Sequence, residues 1–246
     1  MKKIISFFIF FSILFINSQI KLEIRSLKSE AVLNQNYIEV KIINTSNFNY
    51  AIPIDTSDIK PDFFGNSCDY KYENDNIFAE KNDMLFRISF INNSNSKFED
   101  EIYNFPTPQD VAHSEIIKYE YYRKKDSVEK IFNNKIESWV KANNFKKIDS
   151  NSKINYLLCS NLLLLKPKQE FIYNIKINSA KLYSSRMHET ETYYYYYNLK
   201  NDVDYSFMLI YCVDKMIYKY LTKKQKEKLK GYKLFSGNLN SNLLKW

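Results

Sequence analysis

Tyr193–Tyr197 is an uninterrupted run of tyrosine, and it follows His188-Glu189-Thr190-Glu191, where an imidazole and two carboxylates stand close together in sequence. On an extended strand, Tyr193, Tyr195 and Tyr197 point to one side and Tyr194 and Tyr196 to the other. A row of phenols presents flat apolar faces rimmed with hydroxyls, a surface suited to sugars or to a protein partner. Tyr193, Tyr195 and Tyr197, with His188 from the preceding loop, are therefore the candidate binding residues. The plainer alternative is a strand with one tyrosine set half-buried. The chain has 21 tyrosines, and the Lys, Asn, Ile, Tyr and Phe that dominate it share A/T-rich codons. The His188–Glu191 segment divides its donors: extended, it puts His188 and Thr190 on one side and Glu189 and Glu191 on the other. It reads as a polar loop rather than a metal site.

Other chemistries are bounded by what the chain lacks. Gly65, Gly231 and Gly237 are its three glycines, so no P-loop, no G-x-G-x-x-G and no G-x-S-x-G elbow can be written. His113 and His188 are its two histidines, which excludes H-E-x-x-H and any multi-histidine zinc centre. Ser114 adjoins His113, but catalytic triads are assembled in space and sequence neighbours seldom face each other. Asp55-Thr56-Ser57-Asp58 and Glu73-Asn74-Asp75-Asn76 are acidic enough for calcium yet lack the D-x-[DN]-x-[DN]-G spacing. No catalytic residue, metal ligand or cofactor is assigned. Carboxylate pairs for glycoside hydrolysis are defined by separation in space, so a hydrolase acting on extracellular polymers stands as the alternative to a binding protein.

The chain's ends and charge set its surroundings. Lys2 and Lys3 precede an unbroken apolar run, Ile4–Ile16, and a polar exit, Asn17-Ser18-Gln19, which is the order of a secretory signal peptide. The run is well short of the about 20 residues that a spanning helix needs. Cleavage after Ser18 leaves Gln19 as the mature N-terminus, removes the only membrane-seeking segment and lowers the formal charge from +8 to +6. No cysteine stands at the cut to carry lipid. An exported protein with scattered lysines is not a nucleic-acid binder, and the dense run Lys223–Lys228 reads as a solvated helix face. Cys68, Cys159 and Cys212 allow at most one internal disulfide. Cys159 and Cys212 lie in apolar stretches and read as small core residues. Terminal Trp246 is a feature of outer-membrane barrels, but the strands here are too broken for one.

Short period-2 segments dominate from Ile20 onward. Ile20–Ile24, Tyr37–Ile42, Tyr50–Ile54, Met84–Ile91, Phe171–Ile177, Tyr193–Tyr197 and Tyr205–Val213 read as strands, with Pro53 at a strand end or edge. Residues 55–82 read as a long loop, Tyr156–Leu165 as a strand, and Tyr232–Phe235 as a last strand before a turn or bulge at Gly237. The helical insertion lies near 114–144, where Val128, Phe132, Ile136 (or Ile131) and Trp139/Val140 line one face. Thr222-Lys223-Lys224-Gln225 is a capping box opening a short helix that Gly231 closes in a left-handed conformation.

Two stretches carry a resemblance. NYIEVKIINTSNFNYAIPID (Asn36–Asp55) resembles the opening strand pair of immunoglobulin-like sandwiches in uncharacterised exported bacterial proteins, and LLLLKPKQEFIYNIKI (Leu162–Ile177) is similar to a later Pro-turn-strand pair in such domains. The resemblance covers about a third of the chain, departs from the antibody pattern in having no Cys–Trp–Cys pin, and transfers no active site. It implies a mainly β, antiparallel immunoglobulin-like sandwich. The expectation is a signal peptide over 1–18 and a single β-rich domain over 19–246. The protein is further expected to be periplasmic or secreted and to bind a protein or glycan partner outside the cytoplasm.

Overall fold

Among the described residues there are fourteen strands and three helices, the first strands where the alternation is cleanest. The computed structural model describes residues 19–27, 35–62, 84–100, 102–104, 130–179 and 194–246. The strands are β1 (Ile20–Ser26), β2 (Gln35–Asn44), β3 (Asn49–Pro53), β4 (Asp55–Pro61), β5 (Leu85–Asn92), β6 (Lys97–Phe98) and β7 (Ile102–Asn104), then β8 (Leu162–Leu165), β9 (Glu170–Asn178), β10 (Tyr194–Tyr196), β11 (Tyr205–Val213), β12 (Tyr232–Leu234), β13 (Gly237–Asn240) and β14 (Leu244–Lys245). Helix α1 covers 130–142, α2 is Ser150–Ser160 and α3 is Lys223–Lys228, with a 3-10 turn at Lys215–Tyr220 before α3. Among the described residues, no helix is long and apolar enough to cross a membrane. The protein is mainly β, in several sheets with a few helices.

Two sheets supply most of the core. β1-β2-β9 is antiparallel throughout, and Ile38, Val40 and Ile42 on its central strand are fully buried. The larger sheet has β13-β11-β5-β4 in order, with β14 also on β11 and β6 on β5. On β5 the alternation places Phe86, Ile88 and Phe90 toward Phe207, Leu209 and Tyr211 of β11. Burying each phenylalanine contributes about 1.5–3 kcal/mol. Tyr173 of β9 brings the first sheet onto this layer, its ring 6.3 Å from that of Phe86. Terminal Trp246, partly buried, packs edge-on against the core rings of Phe90 at 5.1 Å and Phe207 at 5.5 Å.

The seams between sheets are closed by side-chain amides. Asn44, fully buried at the end of β2, donates to the carbonyls of Phe48 at 2.6 Å and Lys166 at 2.9 Å, while its oxygen accepts from the backbone N–H and hydroxyl of Ser46. It thereby joins the first sheet to β12-β3-β8. Asn242 acts as a substitute strand residue: it accepts from the Ile24 N–H at 2.8 Å and donates to the Ile24 carbonyl at 3.0 Å.

Several expectations are corrected. Asp55–Pro61 is a strand, not loop, and pairs parallel with β5; β12 also runs parallel to β3, so the sheets are not purely antiparallel. β4 hides in the sequence because it buries polar residues. Lys60 is 8% exposed, and just beyond the strand Asp62 accepts from the Arg87 guanidinium at 3.0 Å and the Ser89 hydroxyl at 2.9 Å. Tyr156–Leu165 is not one strand: Asp149 and Ser152 form a capping box, and α2 runs to Ser160 before β8 begins. The box at Thr222 and Gln225 forms as read, but Gly231 does not close α3 in a left-handed turn. The Leu229 N–H bonds back to Gln225 instead, and the positive-φ glycine is Gly237, at 120°. With few glycines, Ser96, Asn144 and Lys168 occupy left-handed positions.

Asp62→Ala should lower stability by about 3–5 kcal/mol, because it strands a buried guanidinium, and Asp62→Ala with Arg87→Met should recover much of that loss. Urea unfolding of the two variants and the parent checks both. Asn44→Ala, which removes the partners of several seam groups at once, should cost about 2–4 kcal/mol in the same measurement.

Candidate binding groove

Of the candidate residues of the tyrosine segment, Tyr197 is the one whose side chain the structure describes. His188 and Tyr193 lie outside the described residues. Tyr195 is the middle residue of β10, in register with Tyr103 of β7. Tyr197 is a core residue, 3% exposed; its hydroxyl donates to the Ile88 carbonyl at 2.9 Å and its ring lies 4.8 Å from Phe90. That side chain is spent on the β5 layer. Among the described residues, no group of three or more His, Cys, Asp or Glu could hold a metal ion.

An open groove instead forms on α1. Phe132, Ile136 and Val140 form the inward stripe, with Ile136 fully buried. Turned outward by the helical period are Ile131, Lys135 and Ser138, with Asn134 beside them. Trp139 sits at the boundary. Two adjacent helix positions cannot both face the core, and the smaller Val140 takes the inner one. Tyr156 of α2 stands across from it, its ring 5.7 Å from Trp139 and 5.8 Å from Phe132, both edge-to-face. The space between is about 570 Å³, walled by the two aromatics and Ile131 and edged by Asn134, Lys135 and Ser138. Ile131 is 54% exposed.

The aromatic wall is held from behind by one buried amide. Trp139 donates its indole N–H to Asn155 Oδ1 at 2.8 Å. Asn155, fully buried, donates to the Tyr220 carbonyl and to Gln225 Oε1, each at 2.7 Å. Gln225 returns a bond to Asn155 Oδ1 at 3.0 Å and reaches Asn143 Oδ1 at 3.3 Å. Both donors and both acceptor positions of Asn155 are thus filled. Gln225 is the capping-box residue of α3, so one side chain caps that helix and fixes the indole two helices away.

The cysteines divide. Cys212 is disulfide-bonded and Cys159 is free, within the single internal disulfide that three cysteines allow. Cys68 lies outside the described residues. Cys159 is half-buried on α2, and burial pushes its thiol up to about 11. Asp55, read as a calcium candidate, is buried in β4 and accepts from the Ser57 N–H at 2.9 Å. Its charge, added to burial as the larger effect, raises the Tyr173 hydroxyl well above the usual range.

Comparison with protein-family models, with curated proteins and with solved structures finds no match to this chain.

The groove escaped sequence reasoning for local reasons. Trp139 was placed on the inner stripe with Val140, Ile131 was an alternate for Ile136, and Tyr156 was put in a strand. The Asp149-x-x-Ser152 capping pair was the available signal that Tyr156 is helical, which would have set it beside α1.

Trp139→Phe should cost about 1 kcal/mol by removing the indole donor. Asn155→Leu, which leaves that donor and the Tyr220 carbonyl without their partner, should cost about 3 kcal/mol and red-shift the Trp139 emission. Cys159 should resist alkylation in the folded protein at pH 8 and react readily in urea, gaining reactivity in the native state only as the pH rises toward about 11.

Proposed function

We propose that this chain is an exported, immunoglobulin-like β-sandwich protein that binds carbohydrate outside the cytoplasm and catalyses no reaction. The observation that carries the reading is the groove between Trp139 and Tyr156. Its volume of about 570 Å³ falls within the range of roughly 300–1,000 Å³ usual for small-ligand sites. A stable protein partner would need about 1,200–2,000 Å² of buried surface, far more than this groove offers. Its walls combine the apolar ring surfaces of Trp139 and Tyr156 with an amide, an ammonium and a hydroxyl from Asn134, Lys135 and Ser138. Apolar faces suit the C–H faces of a sugar ring, and the polar edge suits its hydroxyls. The wall is pre-organised, because the indole N–H is already bound by Asn155, so little ordering cost falls on the ligand.

Export is supported from two directions. The leader over 1–18 has the order of a cleavable signal, and a disulfide at Cys212 suits an oxidising compartment such as the periplasm or the medium. The basic run of α3, whose four lysines are exposed, fits a solvated helix face. Against the hydrolase alternative, Asp62 is engaged by Arg87 and Ser89, and Asp55 by Ser57.

The test is a glycan array probed with the exported protein, in parallel with Ile131→Glu, Lys135→Ala and Trp139→Ala. Ile131→Glu leaves the core untouched and puts a charge on the groove wall, so glycan binding should fall at least about tenfold, a loss of about 1.4 kcal/mol. An array with no bound glycan, or binding that survives Ile131→Glu and Trp139→Ala alike, would sink the reading.

A further inference from the structure

We propose that Gln19, once freed by cleavage after Ser18, closes on itself to form an N-terminal pyroglutamate in the pocket beside Tyr50. The inference rests on the export reading above and goes beyond it, by assigning a covalent modification to a residue that the leader alone only exposes. Gln19 is tied down at both of its carbonyls. Its backbone oxygen accepts from the Thr45 N–H at 3.0 Å and from the Thr45 hydroxyl at 3.2 Å. Its carboxamide oxygen accepts from the Tyr50 hydroxyl. Tyr50 itself is 7% exposed, and the next residue, Ile20, is 1% exposed, so the chain enters the core directly after this anchor.

The chemistry needs no outside reagent. The α-amine attacks the side-chain amide carbon; a C–N bond forms to close the lactam, the bond to the amide nitrogen breaks, and one ammonia leaves carrying the proton that the amine gives up. A free α-amine has a pKa of about 7.7–8.0, so a useful fraction is neutral and nucleophilic near neutrality. The negative charge that develops in this step falls on the carboxamide oxygen, which is the atom Tyr50 holds. A fixed donor at that atom favours the transition state over the ground state, and a residue held at two points has less freedom to lose.

The product also keeps the groups by which the pocket holds Gln19. The space is about 390 Å³ and is lined by Ile20, Tyr50, Lys233 and Phe235 among others. The lactam is neutral, as blocking an N-terminus removes its charge, and it keeps both carbonyls that Thr45 and Tyr50 bind. Cyclisation therefore removes a charge and retains both acceptor oxygens of the anchor.

The experiment is mass analysis of the N-terminal peptide of the full chain after export with its own leader. The expected peptide begins at residue 19 and is lighter than its free-glutamine form by one ammonia, with an N-terminus that resists Edman degradation. A time course on freshly exported protein should show cyclisation slowed at least about tenfold in Tyr50→Phe. Should that variant fold poorly, the parent chain in urea serves instead, and it should cyclise more slowly than the folded protein. A peptide that begins at Gln19 and keeps its free amine overturns the modification while leaving export intact. Cyclisation at equal rates in the folded and unfolded chain overturns the role of the pocket. A peptide beginning at Met1 overturns the cleavage itself, and the modification with it.

Discussion

Separate sheets and helices can be packed together only if the polar groups at their seams find partners, because a buried donor or acceptor left alone costs about 1–3 kcal/mol. In this protein side-chain amides meet that constraint. Asn44 gathers the ends of β2 and β8 and the approach to β3, Asn242 ties β1 to the C-terminal segment, and Asn155 ties α1 and α2 to the region of α3. Each spans a join that no backbone ladder crosses. Asparagine is abundant here, so a residue that composition alone would credit to codon bias has been put to structural use at particular places.

The groove follows from the last of these joins. α1 presents a tryptophan at the margin of its buried stripe, and such a side chain on a surface helix would ordinarily be free to change rotamer. Asn155 removes that freedom by accepting the indole N–H, and Gln225 removes the freedom of Asn155 by a reciprocal amide pair. Tyr156 then meets the indole edge-to-face from a different helix. Local capping chemistry at Thr222 and Gln225 and the wall of a candidate sugar site are thus parts of one network, which is why changes well behind the groove should be felt at its surface.

How much of this was legible in the sequence depends on whether burial followed hydrophobicity. Where it did, the reading was close: Phe86, Ile88 and Phe90 share a buried face, as do the alternate residues of β2, and Thr222 with Gln225 forms the capping box. Where burial took in polar residues, the reading failed. β4 carries Asp55 and Lys60 inward, and its neighbour Asp62 is held by Arg87 and Ser89, so period-2 reasoning saw a loop. Tyr156–Leu165 is apolar apart from Ser160 and Asn161, a run whose period does not separate helix from strand, and only the cap at Asp149 decides it. The tyrosine run was legible as a strand over Tyr194–Tyr196, yet Tyr197, the most conspicuous candidate for an exposed face that the structure describes, is committed to the core. The groove residues come from two helices and could be joined only by the fold.

The chain has two tryptophans, and replacing Trp246 with phenylalanine leaves Trp139 as the single reporter of the groove. Titrating that protein with the glycans retained on an array, while following its emission, tests the central claim directly. The account predicts a saturable blue shift of the Trp139 emission as sugar displaces water from the ring, abolished by Ile131→Glu. Saturating binding with no change in that emission would place the ligand elsewhere and contradict the account.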